Sequence, residues 1–219
     1  MLDFSEEAKI AETAWSFLRS NTTATLKFGE HVNDLSYVIL PTGELIIPVM
    51  IAMLQPCDTV MFIPEYNEDC MELHVSLRQF TPTGEQGIFA DRWNVYHGKS
   101  PDVQWALVDI DAARFHEMFI DGEYLCRKNP IAEIEISVCK ELNLNQRDAV
   151  RSTCLARTNV TVADPVVVGV DPLGVDIRAP FGIVRIPAIA PFASADDVFS
   201  FFSCSTPSGG GYVLVFHHL

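Results

Sequence analysis

Cations are scarce in this sequence: 15 Lys and Arg stand against 29 Asp and Glu, a formal net charge of −14 over 219 residues. A chain of that sign repels polyphosphate and anionic headgroups, so neither nucleic acid nor a membrane surface is an expected partner. Long apolar runs are missing as well. The longest, Leu45 to Leu54, is cut by Pro48 and falls far short of the ~20 residues that cross a bilayer. Where a secretory leader needs a basic start and an unbroken apolar core, the first twenty residues carry Asp3, Glu6, Glu7 and Glu12, and a soluble cytoplasmic protein is expected. The cysteines Cys57, Cys70, Cys126, Cys139, Cys154 and Cys204 form no C-x-x-C pair, which excludes a zinc knuckle or redox dithiol; most have apolar neighbours and read as inert buried thiols. Ser76 and His74 share a strand face, but no G-x-S-x-G elbow surrounds the serine, so a hydrolase is not expected. The glycine triplet Gly209 to Gly211 lacks the lysine and hydroxyl of a phosphate loop and reads as a hinge.

What is present is a globular composition, 48% hydrophobic and 10% aromatic, with enough chain for one large or two small domains. Residues Phe4 to Arg19 predict an amphipathic helix, with Ser5 as cap, Glu6 and Glu7 in the first turn, and Ala8, Ala11, Trp15 and Leu18 at helical spacing. The pattern then shortens. Thr23 to Phe28, Leu35 to Leu40, Glu44 to Ile47 and Thr59 to Ile63 are β-branched or aromatic runs separated by turn residues. Met71 to Phe80 alternates, with Met71, Leu73, Val75 and Leu77 on one face and Glu72, His74, Ser76 and Arg78 on the other. Val103 to Ile110 reads as a further strand ending at Asp109 and Asp111. Short strands without intervening helices predict an antiparallel barrel.

Past Tyr124 the pattern changes. Ile134, Ile136 and Val138 alternate with Glu133, Glu135 and Ser137, and Glu141 to Arg157 reads as helical. Val166 to Val170, Val175 to Ala179 and Ile183 to Ile186, joined by Asp171-Pro172-Leu173-Gly174 and Phe181-Gly182, spell a three-stranded meander, and Ser194 to Cys204 a capped helix. The expected fold class is α+β: an antiparallel split β-barrel over 1–125, a small α-β-β-β-α module over 130–205, and a glycine-hinged tail over 206–219. The tail's Val213 to Phe216 is apolar and should dock somewhere.

Several clusters have a plain structural reading beside a functional one. His31, His74, His97 and His116 are isolated in sequence, without metal-ligand spacing. Met50, Met53, Met61 and Met71 read first as core filling and second as an adaptable surface. Arg147, Arg151 and Arg157 form a helical stripe that either pairs with Glu141 and Asp148 or docks an acidic partner. Trp93 and Tyr96, flanked by Arg92 and His97, either line a cleft or anchor a turn.

The order of parts, together with Asp171-Pro172-Leu173-Gly174-Val175-Asp176-Ile177-Arg178 and the Val184-Arg185-Ile186-Pro187 that follows, resembles the heme-utilisation family. Those proteins couple a split barrel related to pyridoxamine phosphate oxidases to a small α/β module. Asp148-Ala149-Val150-Arg151 is similar to that module's helix, with Gln146 where relatives carry histidine. Thr23 to Leu26 and Ala106 to Arg114 carry the likeness in the barrel half. The resemblance implies a homodimer through the barrel and binding of heme or a similar flat cofactor, with oxidative degradation when an electron donor is present. It also implies an axial ligand to iron on the carboxy-terminal tail, His217 or His218, with His217 the metal ligand, and propionate partners among Arg92, Arg114, Lys27 and Arg78. Flavin mononucleotide fits less well, because Met50 to Val60, where relatives grip the phosphate, contains no cation. An FMN-dependent oxidase of vitamin B6 metabolism is correspondingly the weakest reading. The competing one is a non-catalytic split-barrel scaffold that binds a protein, similar to those tethering glutamyl-tRNA reductase.

Overall fold

A computed structural model describes residues 4–99 and 103–203, with the side chains of 4–6 left aside. The chain divides into two compact units, Met1–Asn129 and Pro130–Leu219. The fold is α+β in both.

The first unit opens with α1 (Phe4–Ser20), which buries Ala11, Ala14, Trp15 and Leu18 along one stripe. The helix already runs at Phe4, so Ser5 lies inside it and is not its cap. Eight strands follow: β1 (Thr23–Phe28), β2 (His31–Ser36), β3 (Val38–Ile39), β4 (Leu45–Val49), β5 (Thr59–Ile63), β6 (Met71–Phe80), β7 (Gln104–Phe115) and β8 (Met118–Asp121). They form one antiparallel sheet in the order β2-β1-β5-β6-β7-β4-β3, with β8 pairing the far end of β7. The sheet curls into a half-barrel: β2 and β4, far apart in that order, come into contact. Its inner face is Leu26, Met61, Ile63, Met71, Leu73 and Val75, all buried. Tyr37 is fully buried and donates its hydroxyl to the Leu18 carbonyl at 2.7 Å, tying β-sheet to α1.

Two expectations change here. A helix, α2 (Gly87–His97), intervenes between β6 and β7. Its signal is weak because Ile88 and Val95 are exposed while Ala90, Trp93 and Tyr96 are buried, and no acidic residue marks its first turn. Trp93 and Tyr96 are packing anchors within the fold; the Trp93 indole donates to the Ser36 carbonyl at 3.1 Å and meets Trp105 edge-on at 5.6 Å. The strand expected to stop near Ile110 continues to Phe115. Asp109 and Asp111 do not terminate it because both carboxylates find cross-strand donors, in Arg78 and Ser76.

The second unit holds α3 (Ala132–Asn145), α4 (Arg147–Thr158), the meander β9 (Val166–Asp171), β10 (Gly174–Ala179) and β11 (Gly182–Pro187), and α5 (Ala195–Ser203). The sheet order is β11-β10-β9, and both pairings are antiparallel. The alternation at 131–140 is not a strand period. The buried stripe starts at Ile131, just before α3, and runs through Glu135, Val138 and Leu142, so a glutamate at 3% exposure occupies a core position while Ile136 stands 74% exposed. Glu135 is tolerated because its carboxylate accepts the Val170 backbone N–H at 3.1 Å. Two turns along the helix, the Asn143 amide donates to the Val167 carbonyl and accepts its N–H, each at 2.8 Å. Side chains of α3 thus pair the open edge of β9 as a neighbouring strand would.

Candidate functional site

Alternation along each strand sends one side of the half-barrel to the core and the other outward, and antiparallel register aligns the outward residues into rows. One row runs Asp34, Thr25, Phe62, Glu72, Arg114 and Phe119 across β2, β1, β5, β6, β7 and β8. The next runs Val32, Lys27, Val60, His74 and Ala112. On these rows lies an open groove of about 840 Å³, lined by Lys27, Gly29, Cys57, Asp58, Val60, Phe62, Tyr66 and Glu72. Such a volume is of the size that takes a cofactor-sized molecule.

The walls have distinct chemistry. Phe62 is 7% exposed although it points outward, because Tyr66, itself 72% exposed, lies edge-on over it with ring centroids 4.7 Å apart. The pair offers an aromatic flank at the groove. Gly29, in the turn between β1 and β2, has φ +56 and donates its N–H in a long hydrogen bond to the Asp58 carbonyl at 3.3 Å, drawing the 57–58 segment against the end of β1. Cys57 is an exposed thiol whose Sγ lies 3.8 Å from Thr59 Oγ1. Thr25 is satisfied by Asp34 at 2.8 Å. Arg114 grips Glu72 through two hydrogen bonds, one of them from Nε at 3.1 Å, and holds that carboxyl below its ordinary range. The Lys27 ammonium, by contrast, makes no hydrogen bond or ion pair with any described residue. It is the cation the groove leaves available.

The residues singled out from sequence therefore separate. Lys27 lines the groove, and Arg114 stands beside it but is engaged by Glu72. Arg78 is bound to Asp109 at 2.9 Å and Glu44 at 3.0 Å farther along β6. Arg92 lies on α2, where it donates to the Ile39 carbonyl at 3.1 Å and covers the Tyr96 ring. The sequence does not distinguish these four cations; the structure brings only two of them to one place. His217, His218 and the rest of the tail lie outside the described residues. Cys57, read from sequence with the inert buried thiols, is instead exposed; Phe62, Tyr66 and Asp58 carry no sequence signal as site residues, since nothing local shows which loop meets the outward face of a strand.

The motif of the second unit proves to be packing chemistry. Arg185 is buried with both aspartates of the motif, Nη2 to Asp171 at 2.7 Å and Nη1 to Asp176 at 2.8 Å, the three side chains being 8%, 5% and 11% exposed. The basic stripe of α4 is likewise occupied: Arg147 pairs with Asp164 and Arg151 with Asp148, both on the surface. Among the described residues no three His, Cys, Asp or Glu side chains converge as a metal cage, and no helix is long and apolar enough to cross a membrane.

Neither a family model nor a curated protein matches the chain. Among solved structures it is similar to a protein of unknown function from Agrobacterium tumefaciens str. C58, at 12% identity and TM-score 0.68 over 94% of this chain and 97% of that one. A heme-binding protein from Mycobacterium smegmatis is matched at 16% identity and TM-score 0.42, over 90% of this chain and 95% of the other, a likeness too loose to carry a functional argument. The first of these comparisons shows a shared fold, an antiparallel half-barrel with a small α+β unit, and the fold alone.

Proposed function

We propose that the outward groove binds a flat, largely apolar small molecule bearing carboxylates, with heme the leading candidate. The observation that carries this reading is the pairing of an aromatic flank, Phe62 and Tyr66, with a single unengaged cation, Lys27, on one sheet face. Ring faces stack on aromatic and β-branched walls, and one ammonium offsets the desolvation of one carboxylate. A phosphate dianion asks for more: several charge-assisted donors, where this groove presents the acidic Asp58 and Glu72 beside Lys27. The 3-10 turn Ile51–Leu54 that precedes the groove contributes no cation either. A porphyrin carries its two carboxylates on separate arms, so Lys27 can meet one while the other stays in solvent, whereas the phosphate of flavin mononucleotide sets both charges on one group; this favours the porphyrin. The proposal includes His217 or His218 as an axial ligand, and a second copy packing on the barrel, where the exposed Val32 and Phe119 stand at opposite margins of this face.

Titration of the purified chain with hemin tests it. A shifted Soret band that saturates is expected, and Lys27→Glu should weaken the affinity about tenfold or more. A flat titration removes the proposal.

A further inference from the structure

Two charges of opposite sign stand unengaged in the groove. The Lys27 ammonium and the Asp58 carboxylate both line it, and neither makes a hydrogen bond or ion pair with a described residue. Glu72, the other carboxylate of the lining, is taken by Arg114. Lys27 of β1 stands directly across from Val60 of β5, and Asp58, two residues before Val60, opens on the same groove. Diagonal neighbours of this kind are about 7 to 8 Å apart at their backbones, a gap that long side chains can close. Here it stays open, and both residues are exposed. An exposed ion pair gains little over the side-chain entropy lost in forming it, so both ends remain accessible to a ligand.

The groove continues from this pair toward its aromatic flank. From Asp58 the lining passes along the β5 segment through Val60 to Phe62, and each step of two residues advances about 7 Å. The two charges therefore stand at one end of a short apolar track, with the Phe62 and Tyr66 rings at the other. From Val60 to Phe62 is on the order of the reach from the head group of an aromatic amino acid to the far edge of its ring.

Charge selects the head group. A carboxylate alone would meet Lys27 beside the repulsion of Asp58, and an amine alone would meet the reverse. A group carrying both signs gives each residue a charge-assisted hydrogen bond. Such a zwitterion has no net charge, and it enters without opposing the field of a chain at −14.

We infer that the groove takes an aromatic α-amino acid, with its carboxylate on the Lys27 ammonium, its ammonium on the Asp58 carboxylate, and its ring over Val60 against Phe62 and Tyr66. This rests on the groove being the site of a flat carboxylate. It adds Asp58 as the residue that selects among such molecules, a role that a porphyrin leaves it without.

Calorimetric titration of the full chain compares L-tryptophan with indole-3-propionate, which lacks the ammonium, and with tryptamine, which lacks the carboxylate. Tryptophan should bind with a Kd below about 1 mM and about tenfold or more tighter than either. Asp58→Asn should bring tryptophan down toward the affinity of indole-3-propionate, and Lys27→Gln toward that of tryptamine. Both positions are exposed, so each variant should melt at the temperature of the unaltered chain. Tryptophan that binds no tighter than the two half-ligands, or that Asp58→Asn leaves unmoved, overturns the inference. Hemin titrated alongside separates the two readings. If hemin binds and tryptophan does not, the flat-carboxylate reading stands and this inference falls. If neither binds, both fall. Tryptophan binding without hemin binding upholds the inference and removes heme as the occupant.

Discussion

Whether a cation is available for a ligand depends on what lies across the strand from it, and the pair Lys27 and Arg114 shows how far apart two such residues can be. Both point outward from the same sheet, yet Arg114 meets a carboxylate in Glu72 where Lys27 meets Val32 and Val60. The Arg114 guanidinium holds Glu72 below its ordinary value of 4.5. A carboxyl whose pKa is depressed on folding contributes stability above its unfolded value and loses it as pH falls through the folded one. Glu72→Gln should therefore be less stable than the unaltered chain near neutral pH, by under about 1 kcal/mol for a pair this exposed. That difference should shrink once the pH drops below about 4.5, which urea melts at about pH 7 and about pH 3.5 would read. Equal differences at both pH values would exclude the ion pair as the cause.

Among the elements, alternation was the most legible signal. Strands β1 and β6 run over the residues that alternation marks, and the meander of β9, β10 and β11 sits where the turn residues placed it, because a period of two and a tight turn are both local properties. The two helices α2 and α3 were hidden for opposite reasons: α2 exposes apolar residues and α3 buries a charged one. Neither departure is visible without the partner element. For α3 the partner is the edge of β9, and Asn143 supplies the closing pair of hydrogen bonds. Asn143→Ala leaves the N–H and C=O of the buried Val167 without partners, which should cost about 1 to 3 kcal/mol. Hydrogen exchange at the Val167 amide should accelerate more than at β10 amides; uniform acceleration across the sheet would show that the clamp is not local.

At the scale of the whole molecule, charge and structure divide unevenly. Residues 1–129 hold 20 of the 29 acidic residues and 9 of the 15 basic ones, so most of the net negative charge belongs to the unit that carries the groove. An anionic ligand must approach against that field, which makes a local cation such as Lys27 matter more than its single charge implies. The second unit has its own apolar core, with Val138, Leu142, Ile177, Ile186, Val198 and Phe202. Its internal ionic cluster, Arg185 with Asp171 and Asp176, reports on that unit alone. Arg185→Met strands two buried carboxylates and should cost about 3 to 5 kcal/mol. If the two units unfold separately, calorimetry of the variant should show one transition lowered and one in place; a single shared transition that moves as a whole would mean that they unfold together.

The sequence by itself determined which side of each strand is apolar, where the three-stranded meander turns, and that the molecule is strongly acidic. Each of these is set by neighbours within a few residues. Only the tertiary structure decided which of four cations remains available, that His74 stands in line with Lys27, and that a conspicuous Asp, Asp and Arg motif is spent on a buried ionic cluster. Those outcomes depend on strand order and register, which bring together residues tens of positions apart, such as Lys27, Val60 and His74, and no local period encodes that pairing.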